Sequence, residues 1–323
     1  MTQSIVRAVA AVSLFAAGAS AASAQSVGFE RAYPVSEAMT VDVQTLRGRI
    51  DVQPGSANEV RVIGRVSVRT GWNVPANALE LARAIASAPP IEQDGRTLRL
   101  RPPADAPARD ALTVAYDVRV PPGAALLVDT DSGAVTVSGM TAPVNVRTQS
   151  SEITLHNVRG GADVRTGSGA VTVTNSAGGV RIGSQSSAIT ARNIDGDLSV
   201  ETGSGRVHAT LAGAGDVDVH TESSAITIVG AAGGLAAHSE SGAVEITGAP
   251  SKSWRVSTGS SAVLVHLGAS ATAHLDATTG SGSITVSTAL VDGTIEKRRV
   301  SGAIRGGVLP LQITSRSGSI RIQ

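Results

Sequence analysis

The chain has 323 residues, 41% of them apolar but only 2% aromatic, with a formal net charge of +1 and no cysteine. A near-neutral chain has no basic excess to neutralise phosphates, which argues against nucleic acid as a main partner. Low charge with this much apolar content also argues against disorder. Without cysteine there are no disulfides, thiolate metal sites, cysteine nucleophile or cysteine-borne lipid anchor.

The apolar residues are mostly Val, Ile, Leu and Ala, which suit a thin core between closely spaced strands, and 36 glycines imply many turns. At the N-terminus, Arg7 precedes an apolar run from Ala8 to Ala19. Ala22-Ser23-Ala24 then offers a small-residue cleavage site before Gln25. The run is too short for a membrane span and has the flanks of a secretory leader. Residues 1–24 are therefore expected to be a signal peptide, and the mature chain to be exported to the periplasm, cell surface or extracellular space. No later stretch is long and apolar enough to predict a membrane span.

Residues 25–128 are expected to form an N-terminal β-rich cap. Thr45 to Val52 already resembles one copy of the later repeat, and Val60-Arg61-Val62, Val66-Ser67-Val68, Leu98-Arg99-Leu100 and Val114 to Val120 alternate as strands do. Ala76 to Ala86 predicts a short helical insertion, with Pro75 at its start and Pro89-Pro90 closing it. A repeat stack needs such a cap because an uncovered sheet edge templates aggregation.

Residues 129–323 repeat. Units of the type TGSGAVTV and TQSSEITL place a serine at Ser132, Ser150, Ser168, Ser186, Ser204, Ser223, Ser241, Ser260 and Ser281, mostly 18 or 19 residues apart, and two looser copies follow at Ser301 and Ser317. Each unit carries two i, i+2 apolar pairs, such as Val171 with Val173 and Val180 with Ile182, separated by glycines such as Gly178-Gly179. That spacing places each pair on one face of a strand, and the glycines at turns. A single unit cannot bury its apolar face, whereas stacked units can. The fold expected is an all-β parallel β-solenoid (β-helix) of ~18-residue coils. The corner alternates Ser-Gly with Ser-Ser from Ser132-Gly133 to Ser260-Ser261. Either neighbouring coils alternate in corner geometry or the true coil holds two units; the 18-residue coil is preferred. A β-propeller competes through the double unit, but aromatic blade motifs are missing.

The stretch Tyr116 to Gly123 (YDVRVPPG), the following LLVDTDSGAVTVSG and the recurring T-x-S-G-x-V-x-V units resemble the DUF4097 family, bacterial β-strand-repeat proteins that carry the label adhesin. The resemblance spans most of residues 40 to 323. It implies a β-solenoid and brings no catalytic residues.

Several residues invite a chemical reading. The six histidines are His156, His208, His220, His238, His266 and His274. His220 and His238 share a repeat position, with Glu201, Arg165 and Arg147 at the same position in earlier coils. A metal held by Glu201, His220 and His238 competes with a solvated mixed-charge column, which is the plainer reading because Val200 and Val219 beside it point inward. Asp195, Asp197, Asp216 and Asp218 could supply two carboxyls for glycoside cleavage, although turn aspartates also serve local backbone hydrogen bonding. Thr136, Thr154, Thr172, Thr190, Thr227 and Thr285 share an outward position interrupted by His208, Glu245 and Leu264, which suits cross-strand stacking better than a flat water-ordering face. The serine- and glycine-rich corners match neither a phosphate loop nor a nucleophile elbow.

No catalytic, cofactor-binding or metal residue is therefore assigned. The function expected is an exported, non-catalytic adhesin-like, scaffold or binding module whose partner is an envelope protein or a polysaccharide. A polysaccharide-active enzyme is the alternative. Self-association through the C-terminal solenoid edge near Ile320 and Ile322 is a further expectation.

Overall fold

The computed structural model describes residues 26–35, 39–71 and 74–323. The expected signal peptide at residues 1–24 lies outside the described residues. The chain divides into two compact units, residues 1–151 and residues 152–323.

In the first unit the strands are β1 (Ser26–Pro34), β2 (Thr40–Arg47), β3 (Ile50–Pro54), β4 (Glu59–Val68), β5 (Ile91–Asp94), β6 (Thr97–Leu100), β7 (Leu112–Val120), β8 (Ala125–Ser132), β9 (Val135–Ser138) and β10 (Val144–Thr148). Helices α1 (Ala78–Ser87) and α2 (Ala106–Ala111) interrupt them. Asp105 caps α2, its carboxylate accepting from the Ala108 amide at 3.3 Å. One sheet has the order β1-β4-β7-β3-β9, the other β5-β6-β2-β8-β10. The repeat-like Thr45 to Val52 is a full coil: β2 pairs parallel with β8, and β3 with β9. The predicted helical insertion is α1, which buries Ala78, Ala82 and Ala86. Phe29 meets Tyr116 edge to face at 6.3 Å and lies where Gly64 leaves room, since a Cβ there would fall 2.1 Å from the ring. Burial pushes the Tyr116 phenol well above the ordinary tyrosine range, and neighbouring Tyr33 adds to the effect.

In the second unit two sheets face each other across the apolar core. One sheet contains β11 (Ile153–His156), β13 (Val171–Ala177), β15 (Ile189–Asp195), β17 (Val207–Leu211), β19 (Ile226–Ala231), β21 (Val244–Gly248), β23 (Val263–Leu267), β25 (Ile284–Val286) and β29 (Ile320–Ile322). We call it the threonine sheet. The other, the histidine sheet, contains β12 (Ala162–Thr166), β14 (Val180–Ser184), β16 (Leu198–Thr202), β18 (Val217–Thr221), β20 (Leu235–Ser239), β22 (Trp254–Thr258), β24 (Ala273–Thr279), β26 (Leu290–Ile295), β27 (Arg299–Ile304) and β28 (Pro310–Ser315).

Ile153 pairs with Val171, and Val171 with Ile189; on the other sheet Ala162 pairs with Val180, and Val180 with Leu198. Each of these steps is parallel and 18 residues long, so the coil is one unit, made of one strand in each sheet. A propeller blade would pair neighbouring strands antiparallel. The inward positions are fully buried, Val171, Val173 and Val207 at 0% exposure among them.

The corners explain the alternation in the sequence. In several Ser-Gly corners the opening residue is a buried Thr or Ser whose hydroxyl accepts the amide three residues on. Thr202 takes Gly205 at 3.2 Å, Ser239 takes Gly242 at 2.7 Å, and Ser315 takes Gly318 at 2.7 Å. In these corners a Cβ on the glycine would strike the carbonyl of the preceding coil: Gly205 would meet the Ser187 oxygen at 1.5 Å, and Gly242 the Ser224 oxygen at 1.9 Å. The coils between carry serine at that position, and Ser224 and Ser261 each donate to the preceding coil, to the Ser204 and Ser241 carbonyls at 2.7 and 2.6 Å. Neighbouring coils therefore alternate in corner geometry, which is the source of the double period.

The C-terminal end departs from expectation. The last coil, β28 with β29, does not follow the others in space. It lies between the coil of β22 and β23 and the coil of β24 and β25, pairing parallel on both sides. Gly318 fits this slot because it meets the Ser-Ser corner of the coil before it, where a Cβ would fall 1.7 Å from the Ser261 oxygen. Two expectations are thereby corrected. Ile320 and Ile322 form no open edge: they are 1% and 0% exposed with a strand on each side, so they offer nothing to self-association. The copy at Ser301 is no corner, because Arg299–Ile304 is β27, antiparallel to both β24 and β26.

Candidate functional site

On the histidine sheet, alternation sends two residues of each strand outward, and parallel stacking aligns them in columns. One column reads Asp163, Arg181, Ser199, Asp218, Ala236, Arg255, Gln312 and Asp276. The other reads Arg165, Gly183, Glu201, His220, His238, Ser257, Thr314 and Thr278.

Glu201, His220 and His238 are thus consecutive, as their repeat position predicts. The two imidazoles stack 4.9 Å apart at 13°, so their nitrogens do not converge on a point between the rings. The Nδ1 of His238 lies 2.7 Å from the Ser257 hydroxyl and its Nε2 3.3 Å from Glu240. No group of three or more metal-ligating residues comes together among the described residues. The glycine at 183 leaves a gap in this column, a shallow cavity of ≈ 540 Å³ walled by Arg165, Glu201 and His220.

The larger concavity, ≈ 750 Å³, lies over the first column. It runs along Arg181, Ser199, Asp218, Ala236, Arg255 and Gln312, with Pro310 and Trp254 also in its lining and the turn residues Asp197, Asp216 and Lys252 along one side. The aspartates singled out in the sequence meet here in part. Asp197 accepts the Asp216 amide at 2.8 Å, and Asp216 accepts the Gly234 amide at 2.8 Å, forming a ladder of turn carboxylates. Lys252 donates to both oxygens of Asp216, at 2.8 and 3.0 Å. The hydrogen bond from Lys252 holds the exposed Asp216 carboxyl below the usual aspartate range, and the Gly234 amide adds to it. A general acid needs the opposite shift. Asp218 points out from β18 into the groove, and Asp195 ends β15 beside Gly213, outside the residues that line it.

The threonine sheet carries its own column: Thr154, Thr172, Thr190, His208, Thr227, Glu245, Leu264, Arg321 and Thr285. The inserted last coil places Arg321 between Leu264 and Thr285. One ladder went unread in the sequence: Asn157, Asn175 and Asn193 all adopt φ of 54–55°, and Asn193 Nδ2 donates to Asn175 Oδ1 at 2.8 Å. Asparagine tolerates this left-handed conformation, and its 18-residue recurrence was the available signal.

The model of the family described as Toastrack DUF4097 matches residues 163–323. This part of the chain is similar to that family. The Toastrack segment holds nearly all of the second unit, including both outward columns of the histidine sheet. One solved structure, titled as a "putative cell adhesion protein" from Clostridium sporogenes ATCC 15579, aligns over 91% of this chain and 98% of its own, at 11% identity and a TM-score of 0.20. No curated protein matches the chain. Among the described residues of the Toastrack segment and of the first unit, no helix is long and apolar enough to cross a membrane.

Proposed function

We infer that the chain is an exported, non-catalytic binding module of adhesin or scaffold type, working in the periplasm or at the cell surface. Residues 1–24 serve as a cleaved leader, residues 25–128 as a cap, and residues 129–323 as the presenting surface. The observation that carries this reading is the outer face of the histidine sheet. Rigid parallel strands hold two columns of polar and charged side chains there, over a shallow open groove. Such a face suits many weak, repeated contacts to an envelope protein or a polysaccharide. The carboxylates nearest the groove support binding more than cleavage, since Asp197 and Asp216 are engaged by backbone amides and Lys252.

The test is retention of the purified mature chain on envelope fractions, with reducing-end release from polysaccharides measured in parallel. Retention without release is expected. Release that disappears on replacing Asp195, Asp197, Asp216 and Asp218 with alanine would overturn the non-catalytic reading, and absence of retention would overturn the binding reading.

A further inference from the structure

We propose that two copies of this chain exchange the inserted coil, so that β28 and β29 of each copy fill the slot between the β22–β23 and β24–β25 coils of the other. The proposal goes beyond the binding-module reading and does not depend on it.

The slot is cut for this coil. Leu311, Ile313, Ile320 and Ile322 are at most 1% exposed, and each has a strand neighbour on both sides. At the corner, Ser315 donates to the Ser261 carbonyl at 3.3 Å, and the Gly318 carbonyl accepts from Thr279 at 2.9 Å. None of these contacts depends on which chain supplies the coil. A swapped pair keeps them all, so the segment that connects the coil to the rest decides between the two states. This is exchange of a buried coil rather than pairing of an open edge, since Ile320 and Ile322 stay covered in both states.

The connecting segment favours exchange. Residues 305–309 lead from β27 to β28. The Gly307 amide donates to the Ile304 carbonyl at 3.1 Å, closing a tight turn whose central residues, Arg305 and Gly306, have φ of 52° and 71°. Positive φ at both positions is a type I′ turn, which suits Gly, Asn and Asp. Arg305 therefore carries a side chain in the left-handed region, where its Cβ is crowded. Gly307 is pressed as closely, since a Cβ there would lie 2.1 Å from the Ala273 amide nitrogen. Short, strained connections of this kind invite swapping, because an extended connection relaxes them. Val308, the next residue, is 85% exposed. In a two-fold pair the two extended connections run side by side in opposite directions, and Val308 of each copy gains apolar cover from the other. Against this, the Arg305 guanidinium donates to the Gly268 and Ala271 carbonyls at 3.3 and 2.8 Å and holds the closed turn.

The order of the chain supplies the opportunity. β24 to β27 precede the coil in sequence yet lie beyond it in the stack, so the slot stands open until a coil docks. At high concentration the coil of a neighbour competes for it. The resulting dimer presents two histidine-sheet faces in place of one.

The experiment marks whose coil sits in the slot. The chain has no cysteine, and Ser257 on β22 pairs in register with Thr314 on β28. A mature chain carrying Ser257→Cys with Thr314→Cys is refolded at low and at high concentration. It is then separated by size exclusion with light scattering, oxidised and run on a non-reducing denaturing gel, with circular dichroism checking the fold. A dimer fraction that grows with concentration and becomes covalently linked is expected, alongside monomers closed by an internal disulfide. Either cysteine alone should give no covalent dimer. Gly306→Val, whose Cβ meets nothing within 4 Å, adds only backbone strain to the closed turn and should raise the ratio of dimer to monomer about tenfold. Monomer at every concentration, with and without Gly306→Val, would overturn the proposal. A dimer whose disulfides are all internal would overturn it too, because the copies then meet through another surface. So would single-cysteine chains that link as readily as the double variant.

Discussion

A buried corner hydroxyl can work in two directions, and Thr279 shows both. Its Oγ1 accepts the Gly282 amide at 3.0 Å and donates to the Gly318 carbonyl at 2.9 Å, with the residue 5% exposed. Thr279→Val keeps the volume and orphans both backbone groups, so it should lower stability by about 1–3 kcal/mol in denaturant melts. Ser187 is the contrast. It is 2% exposed and its hydroxyl has no hydrogen-bond partner, so Ser187→Ala should be neutral or slightly stabilising in the same melts. Asp216 makes a third case. Its folded carboxyl titrates below an unfolded aspartate, so the Lys252 contact favours the fold at neutral pH and is lost as pH falls through the lowered value. Carboxyl-carbon NMR should place the Asp216 midpoint below those of ordinary aspartates, and Lys252→Met should move it up.

At the scale of the element, what sets the structure is how closely one corner approaches the next. Gly205→Ala would drive a Cβ to 1.5 Å from the Ser187 carbonyl oxygen, so the corner must open, and the melting temperature should fall by several degrees. Gly179→Ala, with nothing within 4 Å of its Cβ, should melt close to the parent and serves as the control. Most of this level was legible in the sequence. The i, i+2 pairs fixed which residues face inward, and the recurring Ser-Gly and Ser-Ser dipeptides marked the corners, because each local rule acts within one coil. Ser301-Gly302 shows where local rules stop. It copies the corner motif, yet Gly302, at φ 153°, lies inside an antiparallel strand with its Cβ position 2.7 Å from Gly293. Strand partners there are chosen by pairings with distant coils, which a motif of eight residues does not encode. The groove was half legible for the same reason. Asp197, Asp216 and Asp218 stood out as acids, whereas Arg181 and Arg255 acquire meaning only once the register aligns them with Asp218.

For the second unit as a whole, stability rests on a stack of parallel pairings in which almost every contact spans at least one coil. Such topologies fold slowly because loops must close before the pairings reward them. Refolding from denaturant should accordingly be far slower than for a helical chain of similar size, as stopped-flow circular dichroism would show. In a simple repeat array, losing the terminal repeat shortens the stack by one unit. Here a chain ending at Leu309 lacks the coil that separates β22 and β23 from β24 and β25, and leaves the facing edges of those strands unpaired. Limited proteolysis of that truncated chain should degrade residues 273–308 rapidly while the coils before β22 resist.

The inserted coil also gives the molecule a direction in time. A ribosome releases the coil of β22 and β23, then that of β24 and β25, and only afterwards the strands that belong between them. The growing chain therefore cannot lock its final turns in the order in which they emerge. It must hold a vacancy until β28 and β29 arrive, so that coil acts as a keystone for the turns made before it.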